Sequence, residues 1–203
     1  MTATSAPSRA AKSTVVITGG SGFLGSYVAS AVLRAGHEPI SLDLAPPRHE
    51  VQAVIGEPIP WARLDVTSAA EVDSLFRSFR PSVVVHTAAV AEVAALRTDP
   101  VRAYRVNTEG TVSVLEACRR YDITRVVLVS SIGVLSRRFL EPIPVNHPTL
   151  LADEGPSAGA YGASKLAAEA FALAYAASTG LDVRIVRPSA VYGFGMNVPI
   201  DLK

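Results

Sequence analysis

Short apolar runs alternate along the chain with longer segments in which apolar residues recur every three or four positions. Short β-branched runs are typical of buried strands, and the longer period is typical of helices packed on a sheet. The runs predict strands at Thr14–Thr18, Glu38–Leu42, Pro60–Leu64, Ser82–His86, Arg125–Ser130 and Asp182–Arg187. The longer segments predict helices at Phe23–Ala35, Ala69–Phe79, Pro100–Tyr121 and Tyr161–Thr179.

This alternation predicts an α/β fold with a parallel sheet covered on both faces. Right-handed crossovers between six such strands give the doubly wound Rossmann order 3-2-1-4-5-6, in which a ligand lies over the carboxyl ends of strands one and four. We predict loops at 45–60 and 136–157, the second of which contains four prolines. A loop of that length beside a binding edge is often a lid.

A glycine run, Thr18–Gly25, joins the first predicted strand to the first predicted helix. In this context Gly19 permits a tight turn, Gly22 lets the backbone approach a pyrophosphate, and Gly25 allows close packing of helix on strand. Phosphate oxygens then meet free N–H groups at the start of the helix. The run predicts a dinucleotide site.

Asp43 directly follows the second predicted strand, 18 residues beyond Gly25. A carboxylate at this place accepts hydrogen bonds from a ribose 2′-hydroxyl and repels a 2′-phosphate, so the cofactor predicted is NAD rather than NADP. The alternative is a glycine turn that only packs a βαβ unit, with Asp43 as an ordinary loop residue.

Tyr161 and Lys165 stand four residues apart and therefore share one face of a predicted helix. An ammonium beside a tyrosine lowers the pKa of the phenol, and we expect a positively charged nicotinamide to add to this effect and bring the phenol into the range of a usable base. Ser131 follows a strand end, where its hydroxyl can orient a substrate oxygen. These three residues form the predicted catalytic set, although Ser130 and Ser131 are also compatible with simple capping of the strand.

Composition limits the classes of partner. The chain has 203 residues, 49% of them hydrophobic, and a net charge of +1, which suits one domain and gives no reason to expect nucleic acid or a membrane surface as a partner. No run is long enough to span a membrane, residues 1–13 lack the apolar core of a signal peptide and predict a disordered leader, and no metal site is predicted. The single cysteine, Cys118, is expected in the core, which suits the cytoplasm.

Together these segments resemble the extended short-chain dehydrogenase/reductase superfamily, in its NAD-dependent epimerase/dehydratase branch. The resemblance covers about Thr14 to Asn197 and is carried by Val15–Gly25, Asp43, Leu64–Val66, His86–Ala89, Val106–Asn107, Val129–Ser131, Tyr161–Lys165 and Arg187–Gly193. It implies that Phe23 and Leu24 contact the pyrophosphate through their backbone. It further implies that Asp65 and Val66 flank the adenine, Ala88 and Ala89 line the nicotinamide side, Asn107 lies near the cofactor, Lys165 also holds ribose hydroxyls, and His86 is structural.

The chain also departs from the pattern of that branch. Ile132 and Gly133 follow Ser131 where the dehydratases of the branch have Asp-Glu, which disfavours dehydration. Members usually continue into a smaller substrate domain, whereas this chain stops at Lys203, ten residues past Gly193. We therefore expect residues 14–203 to be an NAD-binding Rossmann domain whose C-terminal substrate-binding part is missing, and activity of this fragment alone is an open question.

The resemblance implies a homodimeric enzyme that transfers a hydride to NAD from a secondary alcohol of a sugar or sugar nucleotide, with Tyr161 as base. If the ketone turns over and regains the hydride on its other face, the enzyme is an epimerase. One alternative is an NAD-dependent dehydrogenase of a non-nucleotide alcohol or a sugar acid. Another is a non-catalytic sensor that binds a dinucleotide, because a fold does not by itself imply chemistry.

Overall fold

The computed structural model describes residues 12–92, 96, 98–136, 142–149 and 159–196. Its strands are β1 (Thr14–Thr18), β2 (Glu38–Asp43), β3 (Trp61–Arg63), β4 (Val83–His86), β5 (Arg125–Val129) and β6 (Asp182–Val186). Its helices are α1 (Phe23–Arg34), α2 (His49–Ile55), α3 (Ala69–Phe79), α4 (Pro100–Ala103), α5 (Gly110–Arg120) and α6 (Gly159–Thr179). A π-helical turn, Tyr104–Glu109, joins α4 to α5, and a short 3₁₀ helix, Ile132–Val134, follows β5.

The six strands form one parallel sheet in the order β3-β2-β1-β4-β5-β6. This confirms the predicted fold class and strand order. The reversal of strand order between β1 and β4 opens a crevice at the carboxyl edge of the sheet, and the loops after these strands meet there.

Two apolar layers cover the sheet, because successive residues of each strand point to opposite faces. Val16 on β1 packs in a layer with buried residues of α3, α5 and α6, among them Phe76, Leu115 and Ala172. Its neighbours Val15 and Ile17 pack in a second layer with residues of α1 and α2. In the first layer, burial raises the pKa of the Cys118 thiol to about 12, as expected of a core cysteine.

The predicted loop at 45–60 is wrong in its middle, because α2 occupies His49–Ile55. Val51 and Ile55 lie one turn apart and are both buried in the second apolar layer, so tertiary packing stabilises a helix too short to be stable alone. The prolines on both sides of this segment favoured the loop interpretation.

The predicted helix Pro100–Tyr121 is interrupted by the π-helical turn, in which the Asn107 carbonyl oxygen accepts a hydrogen bond from Thr111 Oγ1 over 2.7 Å. Thr14–Thr18 and Ala69–Phe79 have the predicted bounds, and the remaining boundaries agree with prediction to within two residues. Most of the predicted leader, residues 1–11, lies outside the described residues, as do 137–141 and 150–158 of the long loop region. Among the helices that the structure describes, none is both long and apolar enough to cross a bilayer.

Candidate functional site: a cleft at the carboxyl edge of the sheet

A cleft of about 830 Å³ lies over the carboxyl ends of the central strands. Its wall contains every predicted site residue except Asn107: Gly19, Gly22, Phe23, Leu24, Gly25, Asp43, Asp65, Val66, Ala88, Ala89, Ser131, Tyr161 and Lys165. Segments separated by more than a hundred residues in sequence therefore meet around one space.

The glycine run forms a turn in which side chains have almost no room. Gly19 has a φ of +73°, and a Cβ there would lie 2.6 Å from the Ala88 backbone nitrogen. A Cβ on Gly25 would overlap the Gly19 carbonyl oxygen, whereas one on Gly22 would meet only that oxygen, at 3.2 Å. Gly22 is the N-cap of α1 and supplies no side-chain cap, so the first N–H groups of α1 are available to an anion in the cleft.

Asp43 fastens the glycine turn to the end of β2. Its Oδ2 accepts a hydrogen bond from the Ser21 N–H over 3.0 Å, and its Oδ1 accepts one from the Leu44 N–H over 2.7 Å. Burial raises the pKa of the Asp43 carboxyl, and these two backbone hydrogen bonds oppose the rise. Asp43 therefore has a structural contact with the glycine turn that the sequence did not indicate, in addition to its position at the cleft wall.

The Asp65 side chain is oriented by its neighbours. Its Oδ1 accepts hydrogen bonds from the Thr67 N–H and hydroxyl at 2.9 and 2.7 Å. Val66 packs against Gly110, where a Cβ would lie 2.8 Å from Val66 Cγ2. Gly110 at the start of α5 therefore lets this wall of the cleft approach the helix.

Asn107 does not line the cleft but holds two of its walls together. Its side chain is fully buried, and its Oδ1 and Nδ2 bond the N–H and carbonyl of Val90 at 2.8 and 3.0 Å. Nδ2 also donates to Ser164 Oγ on α6 over 3.0 Å. Asn107 thus connects the segment that contains Ala88 and Ala89 to the helix that bears Tyr161.

Ser131, Tyr161 and Lys165 line the same part of the cleft. Ser131 is the N-cap of the 3₁₀ helix, and its Oγ accepts the Gly133 N–H over 3.0 Å. Burial raises the pKa of Tyr161, and the hydrogen bond with Ser131 acts in the opposite direction. Lys165 does not offset this rise, so the pKa of Tyr161 shifts in the direction opposite to the one predicted from the Tyr-Lys spacing.

Lys165 is buried to 2% exposure, and burial lowers its pKa to about 8, while the negative charge of Glu169 raises it. The ammonium form therefore still predominates at pH 7. Glu169 itself accepts two hydrogen bonds from Arg187. Neither residue was predicted as a site residue, because the two are 18 positions apart and form no local motif.

His86 has a geometry that fits a structural residue. Its Nε2 lies 3.0 Å from Thr111 Oγ1, which already donates to Asn107, so Nε2 carries the proton and donates to Thr111. Nδ1 then accepts from Thr18 Oγ1 over 2.6 Å. Burial, with a smaller contribution from the charge of Lys165, lowers the pKa of His86 to about 3, so this side chain stays neutral.

Ser130 does not cap the strand through its side chain. Its Oγ is buried and has no hydrogen-bond partner within the part of the chain that the structure describes. Ser131 does cap a backbone group, so the capping alternative applies to one serine of the pair and not to the other. Within the same described residues, no three His, Cys, Asp or Glu side chains group as metal ligands.

Comparison with known proteins agrees with this architecture. The model of the NAD dependent epimerase/dehydratase family matches residues 15–200. UDP-glucose 4-epimerase from Azospirillum brasilense is 33% identical over 185 residues, which are 91% of this chain and 51% of that protein. The chain thus spans about half the length of such relatives.

Two solved structures have the same fold. The UDP-glucose 4-epimerase of Thermus thermophilus, in complex with NAD, aligns with a TM-score of 0.70 and 34% identity, over 86% of this chain and 54% of that one. The Bordetella bronchiseptica enzyme WbmG in complex with NAD aligns with a TM-score of 0.71 and 27% identity, over 90% of this chain and 55% of that one.

Proposed function

Because the chain belongs to the NAD-dependent epimerase/dehydratase family, as its motifs predicted, we propose that it binds NAD and acts as an epimerase on a sugar nucleotide. The observation that carries the proposal is the meeting of Ser131, Tyr161 and Lys165 with the glycine turn in one cleft. UDP-glucose 4-epimerases among the relatives favour a nucleotide sugar over other alcohols.

The residues present fit a dinucleotide. The crowded turn brings backbone rather than side chains to the cleft, and the uncapped first turn of α1 offers N–H groups from Phe23 and Leu24 to a pyrophosphate. We assign the adenosine ribose to Asp43, the adenine to Asp65 and Val66, and the nicotinamide half to Ala88, Ala89 and Lys165. NAD, when bound, supplies the acceptor for the hydride.

The acid–base chemistry is assigned to the chain itself. Tyr161 Oη takes the proton of the substrate hydroxyl as its carbon loses a hydride, and it returns that proton when the ketone is reduced. Ser131 Oγ donates to the reacting oxygen and holds it beside the tyrosine. The positive charge of Lys165 favours the phenolate form of Tyr161, which is the form that can accept this proton.

The two alternative functions, a dehydrogenase and a dinucleotide sensor, differ from this proposal in the products that an assay would detect. A dehydrogenase releases NADH in proportion to substrate consumed, whereas an epimerase inverts a stereocentre without net NADH. The dinucleotide sensor binds NAD and turns over nothing. The trio at the cleft wall favours an enzyme, since a sensor requires no proton-transfer group.

The experiment is a comparison of Tyr161→Phe with the parent, using absorbance of NADH and chromatography of the sugar nucleotide. We expect a loss of turnover of about 100-fold or more with unchanged NAD affinity, in line with the loss of a general base. Tyr175→Phe is the matched control, because Tyr175 lies on the same helix and its hydroxyl contacts Glu116 instead. Parent-like turnover in Tyr161→Phe would contradict the proposal.

Assembly and location stay predictions. Exposed apolar side chains on the helical segments beside the cleft, namely Tyr104, Phe171 and Leu173, support the predicted homodimer. Light scattering of the purified chain tests it. The cytoplasm is expected from cysteine usage alone.

A further inference from the structure

Glu169, which is buried, and Arg187, which is partly exposed, form an ion pair next to the proposed site. Glu169 lies one helical turn after Lys165 on α6, and its side chain is 3% exposed. Arg187 Nε donates to Glu169 Oε1 over 2.9 Å, and Arg187 Nη2 donates to Oε2 over 2.6 Å. This two-pronged geometry fixes the direction of the carboxylate.

Arg187 follows β6 directly, at the level where β5 ends. The Val186 carbonyl accepts the Ser130 N–H over 2.8 Å, and the Pro188 carbonyl accepts the Ile132 N–H over 3.0 Å. The residues on either side of Arg187 are thus bonded to the residues on either side of Ser131. The ion pair therefore connects α6, which bears Tyr161 and Lys165, to the strand end that bears Ser131.

The groups that face Lys165 come from two elements. From β4, His86 is neutral and held by hydrogen bonds on both ring nitrogens. From α6, Glu169 contributes the negative charge, and Arg187 reaches Lys165 only through Glu169. Burial raises the pKa of Tyr161 and so favours its neutral phenol, which adds no charge beside Lys165. Glu169 is thus the anion that acts on Lys165 among the described residues.

We propose that Glu169 is a positioning residue of this site, whose carboxylate, aimed by Arg187, keeps the buried Lys165 protonated. A lysine taken out of water loses its proton readily unless an opposite charge compensates. The inference rests on the proposed function in one respect only, the use of Lys165 by the site.

The test reads the charge of Lys165 directly. The chain has three lysines, Lys12, Lys165 and Lys203, so a ¹³Cε-lysine label gives a spectrum of three signals, and Lys165→Met assigns the one that belongs to Lys165. In the parent we expect that signal to titrate with a pKa of about 8. In Glu169→Gln we expect the midpoint to move to lower pH, because the compensating charge is gone.

A purely structural role predicts the opposite sign. If Glu169→Gln only loosened α6, water would reach Lys165 and its midpoint would rise toward the value of an ordinary lysine. A midpoint that rises or stays unchanged overturns the inference. Should Arg187 left without its partner prevent folding, the double variant Glu169→Gln/Arg187→Met removes both charges, and we expect a smaller shift in the same downward direction.

Glu116→Gln is the matched control, since Glu116 forms the same two-pronged pair with Arg119 on the surface of α5. We expect it to leave the Lys165 midpoint unchanged. Calorimetric titration with NAD at a pH of about 8 separates the two proposals: we expect about ten-fold weaker binding in Glu169→Gln. A lower midpoint with unchanged NAD affinity supports the positioning role and contradicts the assignment of Lys165 to the cofactor.

Discussion

Replacement of Gly25 by alanine is expected to lower the melting temperature by about 4–8 °C and to weaken NAD binding. The new Cβ overlaps the Gly19 carbonyl oxygen and lies 2.7 Å from Gly20 Cα and 2.9 Å from the Gly19 carbonyl carbon. All three are backbone atoms of the turn, so no side-chain rotation relieves the overlap and α1 has to move away from the turn.

The size of the effect follows from two opposing contributions. Forcing an additional methyl into a packed contact costs about 1–3 kcal/mol, and the backbone contacts here place this substitution at the upper end. Replacing glycine by alanine inside a helix stabilises the helix by about 1 kcal/mol. The net loss is therefore about 2 kcal/mol, and each kcal/mol shifts the melting temperature of a domain of this size by roughly 2–4 °C.

Gly22→Ala separates binding from stability. Gly22 has a φ of −83°, which alanine adopts freely, and its Cβ meets only the Gly19 carbonyl oxygen, at 3.2 Å. The methyl otherwise points into open space at the cleft wall, where we place a phosphate. We expect a melting temperature within about 2 °C of the parent and NAD binding weaker by about ten-fold or more.

Thermal melts followed by circular dichroism and NAD titrations by calorimetry measure both quantities. Gly36→Ala is the control, because Gly36 has a φ of +82° and a Cβ there would meet nothing within 4 Å in the described part of the chain beyond its own chain neighbours. It should destabilise the fold through backbone strain and leave NAD affinity as it is. Parent-like stability in Gly25→Ala would show that the tight turn is absent in solution, and parent-like affinity in Gly22→Ala would remove the phosphate from this position.

Three further outcomes are expected. Asp43→Asn should weaken NAD binding and narrow the preference for NAD over NADP, because the carboxylate is lost while its shape is kept; equal NAD affinity in a fluorescence titration would contradict the ribose assignment. The pKa of His86 is about 3 in the folded protein and about 6.5 in an unfolded chain. The free energy of unfolding should therefore fall by up to about 1.4 kcal/mol per pH unit as the pH drops below about 6.5. Urea unfolding between about pH 7 and pH 5 measures this dependence, and we expect His86→Gln to lack it. Ser130→Ala should leave the melting temperature unchanged or raise it, since its hydroxyl has no partner among the described residues, and a loss of several degrees would reveal a contact that this geometry does not contain.

Sequence predicted the fold and most of the cleft because the relevant signals are local. Each of three signals lies within a short segment of the sequence. They are a glycine turn between strand and helix, a carboxylate at the end of the next strand, and a Tyr-Lys pair one helical turn apart. The parallel sheet then brings the carboxyl ends of the strands to one edge, so correct strand assignment was sufficient to place Gly19, Asp43 and Ser131 together.

The contacts that support the site could not be predicted from the sequence because they join distant segments. Asn107 was expected beside the cofactor, yet its amide faces Val90 and Ser164, and nothing in its own neighbourhood indicates those partners. The helix α2 also depends on distant contacts, because Val51 and Ile55 stabilise it by packing in the second apolar layer. The surrounding prolines alone favour a loop.

The charge state of the acid–base pair shows why these supports matter. Burial favours neutral tyrosine and neutral lysine, since it raises the pKa of Tyr161 and lowers that of Lys165. The proposed chemistry requires the opposite pair, a phenolate beside an ammonium. The hydrogen bond with Ser131 lowers the pKa of Tyr161, and the charge of Glu169 raises the pKa of Lys165, so each opposes the effect of burial. The positive charge of a bound oxidised cofactor favours the phenolate form of Tyr161 and disfavours the ammonium form of Lys165. The need for Glu169 is therefore greatest in the state in which the proton leaves the substrate.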